Sequence, residues 1–305
     1  MKNFLHSITV FTAFATMAYV LMMTATGWLI PRTLHKNLMY TYGGNGFENL
    51  RLREAKGTKN IDILFIGSSR AYRGFDTRIF EEAGFTSFNL GSSNQTPVQS
   101  LALLQKYLTE MSPQTVVMEV NPDIFSNDGV ESAVDLVSNA PEISDMPAYS
   151  RCGGFDIRIV NTLIFSLVVK LTGQEDRFAL PVKGQTYIPG GFVQTEEKTY
   201  DKSAGNDYIC DIKHKQLKAM DKIIRLLEEK KSRLWLVQAP VVEALYKGCR
   251  QNSYFDSLMA GKVLYTNFNA AGNFTDTLHF SDGQHLNSTG VNKFDHMLLN
   301  MLNQN

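Results

Sequence analysis

Apolar runs of strand length alternate with helix-length segments along most of this 305-residue chain, and this alternation limits the fold more than any other feature. The first run, "IDILFIG", precedes the helical pattern "DTRIFEEAG", in which Asp76 suits the N-cap and Gly84 the end. Parallel strands need such crossover helices, so the pattern predicts an α/β fold with a five-stranded parallel sheet between two helical layers. The predicted strands cover residues 61–67, 85–91, 114–122, 233–240 and 262–269.

An uncharged segment, residues 7–30, follows Lys2 near the N-terminus. At about 1.5 Å per residue, a helix of this length can cross a hydrocarbon core of roughly 30 Å. The apolar region of a cleaved signal peptide spans only ~7–15 residues, and Trp28 suits a membrane interface. We therefore predict that residues 1–30 form a transmembrane anchor, with a signal peptide cleaved near residue 15 or 26 as the alternative. A signal anchor would place the rest of the chain outside the cytoplasm, in the periplasm or at the cell surface.

Two segments interrupt the regular pattern. Residues 31–60 are polar and contain "YTYGGNGFENL", whose glycines argue against a continuous helix, so a linker is expected there. The folded α/β domain is then expected to cover residues 61–305. Within it, residues 123–211 are rich in Gly, Pro, Asn and Ser and separate the third strand from the fourth. This insertion starts at the carboxyl edge of the sheet, where we expect it to form a cap over a binding site.

Composition argues against several classes of partner. The chain has 30 Lys plus Arg and 30 Asp plus Glu residues with no basic stripe, so no nucleic-acid partner is expected. Cys152, Cys210 and Cys249 lack a CxxC spacing, so no metal site is expected, and their disulfide state stays open. The first strand is not followed by Gly-x-Gly-x-x-Gly, and the sequence has no phosphate-loop lysine. No cofactor is therefore expected.

Polar residues at the predicted strand ends favour nucleophilic acyl transfer, because ligands of parallel sheets bind beyond the carboxyl ends of the strands. A neutral histidine can take the proton of a serine hydroxyl, and a carboxylate on the other ring nitrogen fixes the tautomer. Backbone amides and an asparagine carboxamide can then stabilise an oxyanion. The residues that fit these roles follow three successive strands or precede the last helix: Ser68, Ser69, Gly91, Asn121, Asp282 and His285.

Each of these residues alone has an ordinary structural explanation. Serine and glycine form turns, Asn121 can end a strand before a proline, and an Asp-x-x-His spacing is common on surfaces. Their shared position at one sheet edge is what favours catalysis. Ser68 remains an alternative nucleophile, and His279 remains an alternative base although it has no aspartate at the same offset. An α/β-hydrolase elbow does not fit, because Ala71 stands where its last glycine is needed.

Four blocks, "FIGSSR", "NLGSSNQ", "VMEVNP" and "SDGQHLNSTG", together resemble those of the SGNH (GDSL) hydrolase superfamily. The similarity covers residues 62–302 apart from the insertion, and it implies a flavodoxin-like three-layer fold. By this resemblance Ser69 is the nucleophile, and Asp282 and His285 complete the triad. The amide of Ser69 joins Gly91 and Asn121 in the oxyanion hole.

The chain departs from the SGNH pattern at three positions: Ser68 and Pro122 stand where aspartates are usual, and Glu119 where glycine is usual. An anchor before such a domain resembles membrane-tethered proteins of envelope-polymer D-alanylation and alginate O-acetylation, which work beside a membrane-bound O-acyltransferase. This implies a serine O-acyltransferase or acyl esterase that modifies an envelope or surface glycan through an acyl-Ser69 intermediate. The departures support a second hypothesis, a non-catalytic glycan-binding or scaffold subunit of a membrane acylation complex.

Overall fold

The computed structural model describes residues 1–44, 46–196, 198, 200 and 208–304. Five strands, β1 (Ile63–Ile66), β2 (Ser87–Asn89), β3 (Thr115–Glu119), β6 (Arg233–Gln238) and β7 (Leu264–Asn267), form a parallel sheet. Their order is β2-β1-β3-β6-β7, and β4 (Gln185–Ile188) and β5 (Phe192–Thr195) form a separate antiparallel hairpin. All five predicted strands are present, and the predicted α/β class is confirmed.

Helices cover both faces of the sheet. In the described residues they are α1 (Lys2–Leu29), α2 (Glu48–Ala55), α3 (Ser69–Tyr72), α4 (Thr77–Glu82), α5 (Pro97–Met111), α6 (Pro122–Ser126), α7 (Val130–Asn139), α8 (Met146–Cys152), α9 (Ile157–Leu171), α10 (His214–Lys230), α11 (Glu243–Gly248), α12 (Asn252–Ala260), α13 (Phe268–Ala271), α14 (Asp276–His279) and α15 (Ser288–Leu302). Short 3-10 helices lie at Arg32–Leu34, Ile143–Asp145 and Glu175–Phe178.

Side chains of the central strands alternate between two apolar cores, as the two-residue period of a strand requires. Leu64 and Ile66 of β1 point to the core formed with α5 and α10. Ile63 and Phe65 point to the opposite core, which contains side chains of α4 and α15. Because both faces are covered, these strands read as continuous apolar runs, which is why they could be predicted from the sequence.

The strand register brings the functional segments to one edge. Phe65 of β1 pairs with Asn89 of β2 and with Val117 of β3, so the three strands run nearly level. The turn after β1, the segment after β2 and the end of β3 therefore meet at the carboxyl edge of the sheet. These are the segments that contain Ser69, Gly91 and Asn121.

The N-terminal helix α1 is 28 residues long and has no buried residue. Among the described residues it is the helix that is long and apolar enough to cross a membrane, as an anchor or as a signal sequence. Its last third lies against α9 of the insertion.

The segment 31–60 differs from the expected linker. Leu38, Tyr40 and Tyr42 are buried against Phe165 and Val169 of α9. Residues 48–55 form α2, which contributes to the core shared with α5. The glycines that suggested a flexible tether instead let the chain turn, with positive φ at positions 43 and 46. This segment is thus packed into the folded body.

The insertion, residues 123–211, contains most of α6, then α7, α8 and α9, and the β4–β5 hairpin. The hairpin lies at the outer edge of β2, where the backbone N–H of Asn89 donates to the carbonyl of Gly190 at 2.8 Å. Helix α9 packs on α7, and α8 packs on α5. Residues 201–207, between the hairpin and β6, lie outside the described residues, so a cap over the site remains a prediction.

Candidate active site

The turn between β1 and α3 presents the hydroxyl group of Ser69. Gly67 has a φ of +149°, and a Cβ atom there would meet the Cβ of Glu119 at 2.7 Å, so the sharp turn requires glycine. Ser68 caps α3 by accepting a hydrogen bond from the N–H of Arg70 at 3.3 Å. Ser69 is the first residue of α3 and is half-buried, at the carboxyl edge of the sheet.

Ser69, His285 and Asp282 form one hydrogen-bonded chain. The Oγ atom of Ser69 lies 2.8 Å from Nε2 of His285. Nδ1 of the same ring lies 2.9 Å from Oδ1 and 2.8 Å from Oδ2 of Asp282. With Nδ1 protonated toward the carboxylate, Nε2 is the ring atom that accepts the serine proton. The structure thus brings the hydroxyl of Ser69 to an Asp–His pair that lies more than 200 positions later in the sequence.

The loop that contains Asp282 and His285 is held by its own polar groups. Oδ1 of Asp282 accepts hydrogen bonds from the backbone N–H groups of Gln284 at 2.8 Å and His285 at 2.9 Å. The N–H of Ser281 donates to the carbonyl of His285 at 2.9 Å, which closes the loop. Asn287 then caps α15. The block "SDGQHLN" therefore sets the position of the imidazole as well as supplying it.

The electrostatics favour a neutral imidazole facing an ionised carboxylate. Burial lowers the pKa of His285, and the charges of Arg73 and Arg70 act in the same direction, while the bond to Asp282 opposes them. For Asp282, burial raises the pKa, but the hydrogen bonds from His285 and Gln284 outweigh it and bring the pKa to about 2. Near neutral pH, His285 is thus available as a base and Asp282 as its negatively charged partner.

The expected oxyanion donors differ in how freely they can bind a ligand. The structure gives the N–H of Ser69 no acceptor in the described part of the chain. The N–H of Gly91 donates to Oδ1 of Asn89 at 3.0 Å. Nδ2 of Asn121 donates one hydrogen to Oε1 of Glu119 at 2.8 Å, which leaves its second hydrogen for a ligand. Two donors, from Ser69 and Asn121, are therefore available without rearrangement, and Gly91 would have to exchange its partner.

Glu119 links the turn between β1 and α3 to Asn121. Its side chain is fully buried. Oε2 accepts from the Ser68 hydroxyl at 2.8 Å and from the Ser68 N–H at 3.3 Å, while Oε1 accepts from Asn121. All three groups that contact the carboxyl oxygens can donate a hydrogen bond. The sequence marked Glu119 and Ser68 as two separate departures from the SGNH pattern, with Ser68 also an alternative nucleophile, and the structure shows that they are bonded to each other.

The two alternative residues have other partners. The hydroxyl of Ser68 is used by Glu119 and by the N–H of Arg70, and Ser68 is only 3% exposed. His279 is buried beside Phe274, and its Nδ1 accepts from the N–H of Thr275 at 2.9 Å. Neither residue belongs to the chain that joins the hydroxyl of Ser69 to Asp282.

Two arginines that the sequence did not single out flank the imidazole. Arg70 and Arg73 line a small cavity with His285 and Gln284. Arg70 is paired with Asp123 at 3.1 Å, and Arg73 lies 5.4 Å from the ring of Tyr72. Arg70 follows Ser69 directly and Arg73 lies one helical turn after Ser69, which is a spacing that the sequence could have revealed. In the described part of the chain, no three His, Cys, Asp or Glu side chains converge where a metal ion could bind.

Several solved structures are similar to this chain, whereas no protein-family model and no curated protein sequence matches it. A GDSL-like lipase from Bacteroides thetaiotaomicron has 11% identity and a TM-score of 0.44, over 85% of this chain and 98% of that one. A putative acylhydrolase from Bacteroides fragilis has 13% identity and a TM-score of 0.43, over 83% and 94%. A family 3 carbohydrate esterase from Clostridium thermocellum has 13% identity and a TM-score of 0.38, over 79% and 94%.

Proposed function

We propose that this chain is an SGNH-type serine acyl esterase or O-acyltransferase that works through an acyl-Ser69 intermediate. The observation that carries the proposal is the hydrogen-bonded chain from Ser69 Oγ through His285 to Asp282, with distances of 2.8–2.9 Å. A surface histidine with an incidental aspartate neighbour would not also meet a serine hydroxyl at the end of a parallel strand. The chain has the parts that nucleophilic acyl transfer needs: nucleophile, base, orienting carboxylate and free amide donors.

In the first half of the reaction, Ser69 attacks the carbonyl carbon of an ester. Nε2 of His285 takes the hydroxyl proton as the new C–O bond forms, and Asp282 stabilises the imidazolium. The carbonyl oxygen becomes an oxyanion that accepts from the N–H of Ser69 and the carboxamide of Asn121. Collapse of this intermediate expels the alcohol, which leaves with the proton from His285, and the acyl group stays on Ser69.

In the second half, a hydroxyl compound attacks acyl-Ser69 and His285 again accepts the proton. The bond between the acyl group and Oγ of Ser69 then breaks, and His285 returns the proton to Ser69. Water gives hydrolysis, and a sugar hydroxyl gives transfer of the acyl group. We assign the reaction to an envelope or surface glycan outside the cytoplasm, with a membrane-bound O-acyltransferase as the partner that supplies acyl groups. Helix α1 supports this assignment because it can anchor the chain at a membrane, where such polymers and partners are found.

A second candidate function, a non-catalytic glycan-binding or scaffold subunit, is favoured by one observation. The N–H of Gly91, an expected oxyanion donor, is bonded to Asn89. A site that never stabilises an oxyanion would not need the N–H of Gly91 to leave Asn89.

Serine replacement separates the two functions. The full chain in detergent micelles is assayed with p-nitrophenyl acetate and with a fluorophosphonate that labels activated serines. Ser69→Ala is expected to lower kcat by roughly four orders of magnitude and to abolish labelling, because the nucleophile is gone. Ser257→Ala, on the exposed face of α12, is the matched control and is expected to keep both signals. Unchanged turnover in folded Ser69→Ala, or no labelling of the wild type, contradicts the enzymatic proposal.

A further inference from the structure

Helix α1 contacts the folded body only through its C-terminal third. Residues 1–18 are exposed throughout, and contacts begin at Tyr19, whose hydroxyl donates to Asn161 of α9. Gly27 lies so close to the ring of Phe165 that a Cβ atom would clash with it. Trp28 packs edge-on against Phe178 at 5.5 Å. The insertion thus holds residues 19–28 and leaves the preceding part of α1 free for the bilayer.

The free part of α1 is shorter than a hydrocarbon core. Lys2–Ala18 comprises 17 residues. At about 1.5 Å per residue it spans only about 25 Å, against the roughly 30 Å of a bilayer core. If α1 crosses the membrane, the hydrocarbon must therefore reach several residues further along α1. The hydrocarbon core then extends to the level of Tyr19, where α9 begins to contact α1.

The N-terminal end of α9 points toward that membrane. Asn161 lies beside Tyr19 and Phe165 beside Gly27, so α9 advances in the same general direction as α1. The segment 153–157, which comprises the turn between α8 and α9 and the first residue of α9 (called the α8–α9 turn here), precedes Asn161 and lies on the membrane side of it. Within this turn Phe155 is 95% exposed and Ile157 is 46% exposed.

The composition around the α8–α9 turn suits a lipid interface. Phe155 is flanked by the ion pair of Asp156 with Arg158, at 2.7 Å, and by the exposed Arg151. An aromatic ring next to arginines is typical of the zone where acyl chains meet headgroups.

We propose that the α8–α9 turn is a second membrane contact, with the ring of Phe155 inserted among the lipids of the bilayer that α1 crosses. The occupant of this surface is phospholipid, because the surface continues the lipid-exposed part of α1 and lies at the depth that the length of α1 requires. Two attachment points fix the rotation of the domain about α1, which a single helix leaves free. The inference is independent of the proposed acyl transfer.

Depth-dependent quenching tests this proposal on the full chain in phospholipid nanodiscs. The double variant Cys152→Ser with Phe155→Cys carries an environment-sensitive fluorophore at position 155, because Cys210 and Cys249 are buried. Because Phe155 is almost fully exposed, its replacement leaves the packing of the core unchanged. We expect blue-shifted emission and several-fold stronger quenching by lipids with a nitroxide near the top of the acyl chain than by a water-soluble quencher.

The matched control is Cys152→Ser with Tyr254→Cys. Tyr254 is an aromatic residue that is 60% exposed on α12, which packs on β7 at the far edge of the sheet from the hairpin. Its label is expected to emit as in water and to escape lipid quenching. Three results overturn the proposal. The first is a label at position 155 that emits as in water and is not quenched by lipid nitroxides, and the second is a blue shift that changes with the density of protein in the membrane but is insensitive to lipid nitroxides. The third is a mature chain whose mass lacks residues 1–15 or 1–26.

Discussion

Glu119 is the residue whose replacement tests most directly how the site is held together. Glu119→Gln keeps the size of the side chain but puts an NH₂ group where one carboxylate oxygen stood. Toward Ser68, this group faces a backbone N–H that cannot turn away. Toward Asn121, it faces a carboxamide that cannot flip without losing its cap on α6, the 3.1 Å bond from the N–H of Ile124. In either orientation one buried donor loses its acceptor.

The magnitude follows from that single lost acceptor. A buried donor without a partner costs about 1–3 kcal/mol. If the misplacement of Asn121 or Ser69 persists in the transition state, kcat falls by about 5- to 150-fold. We expect KM for p-nitrophenyl acetate to stay within about twofold, because Glu119 is buried behind the turn between β1 and α3. Glu131→Gln is the matched control, since its exposed carboxylate bonds only to Asn94 among the described contacts.

A double replacement distinguishes positioning from general destabilisation. Ser68→Asp alone adds a second carboxyl group beside Glu119, and Glu119→Gly alone leaves the donors of Asn121 and Ser68 unpaired. In the double variant, the carboxylate of the new aspartate takes the place of the lost Glu119 carboxylate as an acceptor. We therefore expect the double variant to have a higher kcat than either single variant. A Glu119→Gln enzyme with wild-type kcat, or a double variant no better than the worse single one, would refute the reasoning.

Two further predictions concern charge and oxidation. Because burial and the nearby Arg73 lower the pKa of His285, we expect kcat/KM to rise with increasing pH and to reach half its maximum below pH 6.5. Arg73→Gln removes one of these causes and should move this midpoint to higher pH. A midpoint that stays or falls in Arg73→Gln contradicts the assigned cause. The buried Sγ atoms of Cys210 and Cys249 lie 3.3 Å apart, so we expect them to form a disulfide in an oxidising compartment. The disulfide would lower the intact mass by about 2 Da and stabilise the fold by roughly 3–4 kcal/mol. A thiol pair that resists oxidation in the folded chain, or equal unfolding midpoints for the oxidised chain and Cys249→Ser, contradicts this prediction.

The centre of the sheet could be predicted because its strands are largely apolar runs. Residues 63–66 and 115–119 are buried on both faces, and such runs need no knowledge of their neighbours. Segment 31–60 could not be predicted in this way. Tyr40 and Tyr42 are buried by α9, more than 100 residues away, and local glycines say nothing about such a partner.

The site shows the same division between local and distant information. The aspartate three residues before His285 is a local signal, and the loop geometry that joins them is local as well. The role of Glu119 depends on Ser68, 51 residues earlier, so the sequence showed two separate departures where the structure has one bonded pair. Likewise, the bond that occupies the N–H of Gly91 comes from an Asn89 side chain that the strand pattern treats only as a buried polar residue.

Asn89 connects the β4–β5 hairpin to the carboxyl edge of the sheet, where Ser69 lies. Its backbone N–H is tied to Gly190 of the hairpin, and its side chain is tied to the N–H of Gly91. A polymer or protein that separated the hairpin from the edge of β2 would therefore break the bond to the backbone of Asn89. The resulting shift of Asn89 would free or displace the N–H of Gly91, an amide donor beside Ser69. The same contact covers an open strand edge, so release of the hairpin would also uncover a surface prone to pairing with foreign strands.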